Sequence, residues 1–91
     1  MKVKVKHNLV IFEEPWQWME LKEQLIKEYG VATLAISFRC RRELGFSIRD
    51  HKALRPAGGD AKGKFYYAME VHLDFFNEAS HSWFVLKYLN R

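Results

Sequence analysis

Residues 2–12 alternate. Val3, Val5, His7, Leu9 and Ile11 fall on one side, and Lys2, Lys4, Lys6 and Asn8 on the other. Period two with β-branched residues predicts a half-buried strand. Lysines along the outer side also discourage edge-to-edge association.

The period then changes. Trp18, Leu21, Leu25 and Tyr29 recur at spacings of three and four, flanked by Met19 and Ile26. Glu13 and Glu14 stand where the positive end of a helix dipole favours acid, Pro15 suits a first helical position, and Gly30 suits a left-handed cap. A helix over 14–29 follows. Residues 31–41 read as a return to alternation, with Ala32, Leu34, Ile36, Phe38 and Cys40 inward and Thr33, Ser37, Arg39 and Arg41 outward. Residues 44–50 continue it through Leu44, Phe46 and Ile48. A turn at 41–43 predicts that these two segments form an antiparallel hairpin. In the segment 64–75, Phe65, Tyr67, Met69, Val71, Leu73 and Phe75 alternate with Tyr66, Ala68, Glu70, His72 and Asp74, the longest strand signal of the chain.

The tail, NEASHSWFVLKYLNR, reads two ways. The aromatics at 83–88 favour a further strand. A C-terminal helix is the alternative, capped by Asn77 or Ser80, with Ala79, Trp83, Leu86 and Leu89 on one face. The expected class is α+β: an antiparallel-rich sheet of four to five strands packed on one long helix, 14–29. The 91 residues form a single domain, with a flexible Gly-rich loop at 55–64.

Composition narrows the setting. At 48% hydrophobic and 15% aromatic, the chain is far from the signature of disorder. No apolar run approaches the ~18 residues of a membrane span, so no membrane partner is expected. The opening MKVKVKHNLVIF alternates instead of building the apolar stretch of a secretory leader. Cys40 is the only cysteine, so a disulfide framework is excluded and a reducing, cytoplasmic setting is expected. A net charge of +4 permits an anionic partner without demanding one.

The stretch Gly58–Phe65, GGDAKGKF, is one residue short of a phosphate-binding loop. Such a loop needs a hydroxyl for magnesium and a helix to follow. Phe65 occupies the hydroxyl position, and a strand pattern follows. The stretch reads as a connector, or as a basic finger carrying Arg55, Lys62 and Lys64.

One helix cannot cover both faces of a sheet. The far face is expected to carry Lys2, Lys4, Lys6, Ser37, Arg39, Arg41, Ser47, Arg49, Tyr66, Glu70, His72 and Asp74. Cations interleaved with an aromatic suit the backbone and bases of single-stranded nucleic acid; the plain alternative is a solvated face on which Glu70 and Asp74 pair with arginines across strands. The candidate binding residues are therefore Lys2, Lys4, Lys6, Arg39, Arg41, Arg49, Arg55, Lys62, Lys64 and Tyr66. The leading expectation is a small non-catalytic binding protein for nucleic acid or a nucleoprotein. The alternative is an inhibitor or adaptor that binds protein, an acidic partner or a second copy of itself. It would use surplus aromatics, with Trp16, which lies off the helix stripe, as anchor. A third reading is a small enzyme built on His72 and Asp74, which lacks an identifiable nucleophile. His7, His51, His72 and His81 contain no helical i,i+4 pair, so no metal site and no cofactor are expected.

Overall fold

The computed structural model describes residues 3–58 and 63–89. Strands β1 (Val3–Lys6) and β2 (Leu9–Phe12) form a hairpin, followed by helix α1 (Pro15–Tyr29). A continuous helical segment comes next: a 3-10 turn at Thr33–Ala35, helix α2 (Ile36–Arg39) and a π-turn at Cys40–Leu44. Strands β3 (Phe46–Pro56) and β4 (Phe65–Phe75) make a long hairpin. Helix α3 (Glu78–Phe84) and a π-turn at Val85–Leu89 close the described chain. All pairing is antiparallel, in the order β1-β2-β4-β3.

The class is α+β as expected, but three helical elements replace the single one. Val10, Phe12, Phe46, Leu73 and Phe75 on the sheet enclose a core with Trp18, Leu21 and Leu25 of α1. Ile36, Cys40 and Leu44 of the helical segment and Phe84 and Tyr88 of the C-terminal helix complete it. Phe46 sits at the centre, with ring centroids 5.0 Å from Phe75, 5.3 Å from Phe84 and 6.2 Å from Trp18.

α1 forms as its pattern predicts. Pro15 opens it, the backbone N–H of Glu14 donates to Gln17 Oε1 at 3.2 Å, and Gly30 closes it at φ +64°. Three other expectations are corrected. The alternation over 2–12 is not one strand. His7 and Asn8 form a turn, with Asn8 at φ +55°, and these two residues reset the phase. Val10 and Phe12 therefore face the core, whereas Leu9 and Ile11 face away.

Residues 31–41 are not a strand. Ile36, Cys40 and Leu44 are spaced four apart and all buried, a helical stripe that the alternating reading overlooks. Leu34, assigned inward, is 97% exposed. The tail is helical, with Asn77 Oδ1 accepting the Ser80 N–H at 2.8 Å.

Gly45 ends the helical segment at φ +75°, and a Cβ there would lie 2.7 Å from Ser80 Oγ. Gly30 has a similar φ but open space around it. We therefore expect Gly45→Ala to cost more than Gly30→Ala, which carries only the left-handed penalty of roughly 1 kcal/mol. Chemical denaturation of the two variants checks the difference. Phe46→Ala should lose about 3–5 kcal/mol, a large share of a small domain's stability.

Candidate functional site

All helical elements pack on one face of the sheet, and among the described residues no element covers the other. Register defines that open face. Lys4, Ile11, His72 and Arg49 lie in one row, Lys6, Leu9, Asp74 and Ser47 in the next, and Glu70 lies opposite His51. Arg55 opposes Tyr66 further along the hairpin. Thus Lys4, Lys6, Arg49 and Tyr66 share the face expected of them, and Arg55, expected in the loop, joins them there. Arg39 and Arg41 do not, because they lie on the helical segment. Lys64 is exposed just before β4. Lys2 and Lys62 lie outside the described residues, as does the middle of the Gly-rich stretch. Arg55 belongs to β3 rather than to a loop.

The face is cationic by composition but not by arrangement. Arg49 makes two hydrogen bonds to Asp74, Nε to Oδ2 at 3.0 Å and Nη2 to Oδ1 at 3.2 Å. Arg55 Nη2 donates to Glu70 Oε2 at 3.0 Å and to the Glu13 carbonyl at 2.6 Å, and Nη1 lies 3.7 Å from Glu14. Lys4 Nζ pairs with Glu13 at 3.0 Å. Of the four cations Lys4, Lys6, Arg49 and Arg55, three are matched by the four carboxylates of Glu13, Glu14, Glu70 and Asp74.

At the centre of this network Glu70, His72 and Ile11 are buried although no layer lies over them. His72 Nε2 is 3.0 Å from Glu70 Oε1. Arg49 reaches both neighbouring imidazoles, Nη1 to His51 Nδ1 at 3.3 Å and Nη2 to His72 Nδ1 at 3.2 Å. The two rings lie with centroids 4.4 Å apart, tilted by 37° to one another. Burial works to raise the Glu70 carboxyl, but hydrogen bonds from His72 and Arg55 outweigh it and hold the group below its ordinary 4.5. Asp74 is held below its ordinary 3.8, chiefly by Arg49.

Ligand atoms of His51, Glu70 and His72 lie within 4.8 Å of one another, near enough to share a divalent ion. The sequence does not show this trio, because its members meet only through the register of the long hairpin. The guanidinium of Arg49 opposes a metal there. It can only donate, so Nδ1 of each ring accepts, and the proton of neutral His72 sits on Nε2, directed at Glu70. Binding through Nε2 would remove that proton and turn an Nδ1–H against Arg49. The observed arrangement is a closed hydrogen-bonded clamp between β3 and β4.

His72 and Asp74, grouped from the sequence, do not form a hydrogen-bonded dyad. The Asp74 carboxylate is occupied by Arg49, and His72 points to Glu70 instead. Cys40 is fully buried, and burial pushes its thiol up to about 11, so it supplies no thiolate. Trp16, the anchor expected from sequence, is 54% exposed.

A second surface lies beyond the clamp. β2 pairs with β4 only over residues 71–74, so the hairpin of 52–56 with 65–69 projects past the sheet as a two-stranded arm. Its helix-side face carries Leu54, Pro56, Phe65, Tyr67 and Met69. Leu54, Phe65, Tyr67 and Met69 are all exposed, and Lys52 Nζ lies 5.1 Å from the Tyr67 ring centroid. Among the described residues no helix covers this stripe, whereas Leu73 and Phe75 of the same strand are buried in the core.

The clamp predicts acid sensitivity. Both carboxyls have folded values below their unfolded ones. Their contribution is therefore complete above the ordinary values of 4.5 and 3.8 and is lost as pH falls through the lowered folded values. Glu70→Gln should destabilise by roughly 1–3 kcal/mol at neutral pH and by clearly less near pH 3. Urea unfolding at both pH values measures it. Excess Zn²⁺ at neutral pH should leave the thermal midpoint unchanged; a rise that His72→Ala abolishes would make the trio a metal site.

Comparison with protein-family models, with curated proteins and with solved structures finds no match to this chain. Its functional reading rests on the two surfaces just described.

Proposed function

We propose that the protein is a small, non-catalytic binding module whose partner is another protein, engaged through the β3–β4 arm. One observation carries this reading: the stripe of Leu54, Phe65, Tyr67 and Met69, exposed together on a projecting hairpin. An apolar, aromatic-rich patch of this kind is costly in water and typical of a protein-binding surface. Trp16 and Met19, both half exposed on α1, add anchors of the type that dominates such interfaces. The lone buried thiol suits a cytoplasmic setting. Among the described residues no helix is long and apolar enough to cross a membrane.

The nucleic-acid reading has weaker support. Phosphate binding needs cations free to displace the counterions condensed on the nucleic acid, and Arg49 and Arg55 are engaged by carboxylates. Arg41 lies beside Ser47 at one end of β3. Lys64 lies at the other, its carbonyl accepting the Ala57 N–H.

Affinity capture from lysate, with and without nuclease, separates the two. We expect retained protein to survive nuclease and to fall at least tenfold for the arm variant Phe65→Ser/Tyr67→Ser. Capture abolished by nuclease restores the nucleic-acid reading. Capture indifferent to the arm variant rejects the arm.

A further inference from the structure

β3 is an edge strand. It pairs with β4 from Phe46 to Pro56, and among the described residues nothing pairs with its other side. A long unpaired edge is a template for a further strand. Two apolar features stand beside it. Near its start, Leu34 and Phe38 of the helical segment, both exposed, line a groove with Ile48. Near its end, Leu54 projects from the same side of the sheet as Ile48, paired with exposed Tyr67. His51 lies midway between Ile48 and Leu54.

This spacing makes the edge complementary to itself. We infer that a second copy of this chain pairs antiparallel along β3, about a two-fold axis at His51, joining the sheets of the two protomers. This rests on the reading of the arm as a protein-binding surface and names its first occupant. Leu54 of each protomer then stands opposite Ile48 of its partner, beside the groove under Leu34 and Phe38. The same operation fills the second groove, as an isologous contact requires. Both helical layers lie on the same side of the joined sheet.

Charge selects the register. Side-chain direction along a strand allows the axis to fall only on a residue, for the pairing to keep apolar groups on one face. With the axis at His51, Asp50 opposes Lys52 twice, an opposite-charge pair at each position. An axis at Asp50 would set the two Asp50 side chains against each other. An axis at Lys52 would do the same for the lysines and would place Asp50 against Leu54. Asp50 and Lys52 are exposed, and neither forms an ion pair with another described residue. The ladder over 47–55, Leu54 included, with the flanking Leu34, Phe38 and Tyr67 is the surface offered towards the ~800 Å² per protomer of a standard specific interface.

A charge-reversal cycle tests this, read by sedimentation equilibrium from low to high micromolar protein. The unaltered chain should reach twice the monomer mass. Asp50→Lys and Lys52→Asp each convert two attractive pairs into two repulsive ones, so each should weaken the dimer about tenfold or more. The double variant Asp50→Lys/Lys52→Asp restores opposite charges and should return to near the original affinity. Circular dichroism confirms that each variant folds. His51→Cys gives an independent reading. Its two copies would face each other across an antiparallel ladder at about 4.5–5.5 Å between Cα atoms, within disulfide range. A cross-linked dimer should then form on mild oxidation, with Cys40 buried and uninvolved. A monomer at every concentration overturns the inference. So does a dimer indifferent to the single reversals, or a double variant that stays monomeric. A monomeric chain that still captures protein through Phe65 and Tyr67 removes the second copy and leaves the binding-module reading intact.

Discussion

The ladder between β3 and β4 is the constraint on which the rest of the molecule depends. It runs unbroken from Phe46 opposite Phe75 to Pro56 opposite Phe65, and its three stretches meet three different environments. At one end Phe46 and Phe75 enter the aromatic core. In the middle Arg49, His51, Glu70 and His72 come together on the open face. At the far end the ladder outruns β2 and the helices, leaving Leu54 and Tyr67 in water. A slip of one residue would turn every one of these side chains to the wrong face. Core packing of Phe46 therefore fixes the register that assembles the polar clamp and the arm.

The open face shows how a sheet can carry many charges that are largely matched from within the fold. Arginine serves here as a planar fork. Arg49 holds Asp74 through two bonds and touches two imidazoles, while Arg55 ties β3 to the carboxylate of β4 and to the chain entering α1. These contacts set carboxylates against both guanidinium groups. They also roof Ile11, Glu70 and His72, which explains burial on a face with no covering layer. Such partly exposed pairs contribute modestly one by one; connected as a network they fix the relation of three strands.

The sequence made some of this plain and hid the rest for identifiable reasons. α1 was legible because period, Pro15 and Gly30 agree. β4 was legible because its alternation is long. The helical segment at 33–44 was obscured by Thr33, Ile36 and Phe38, residues with strand preference. Its true signal is the spacing of Ile36, Cys40 and Leu44 followed by a left-handed Gly45. In the first hairpin, unbroken alternation across His7 and Asn8 concealed a turn, because a two-residue loop preserves the period while exchanging the faces. The face carrying Lys4, Arg49 and Tyr66 was correctly grouped, and the pairing of Asp74 and Glu70 with arginines across strands was readable from the alternation; the part played by Glu13 and Glu14 was not, since they reach the face from outside the sheet. The trio of His51, Glu70 and His72 depends on a pairing between residues some twenty positions apart, which no local pattern encodes.

The unequal strand lengths also grade the molecule in local stability. Amides of β4 near Leu73 are flanked by strands on both sides and sealed by helices, so they open only with the whole domain. Toward Phe65 the same strand has one neighbour and no cover, and a lone hairpin is marginal in water. That outer portion can fray and re-form while Phe46 and its neighbours stay closed. A single continuous element thus joins a foundation closed by the core to an outer ladder held by one neighbour alone.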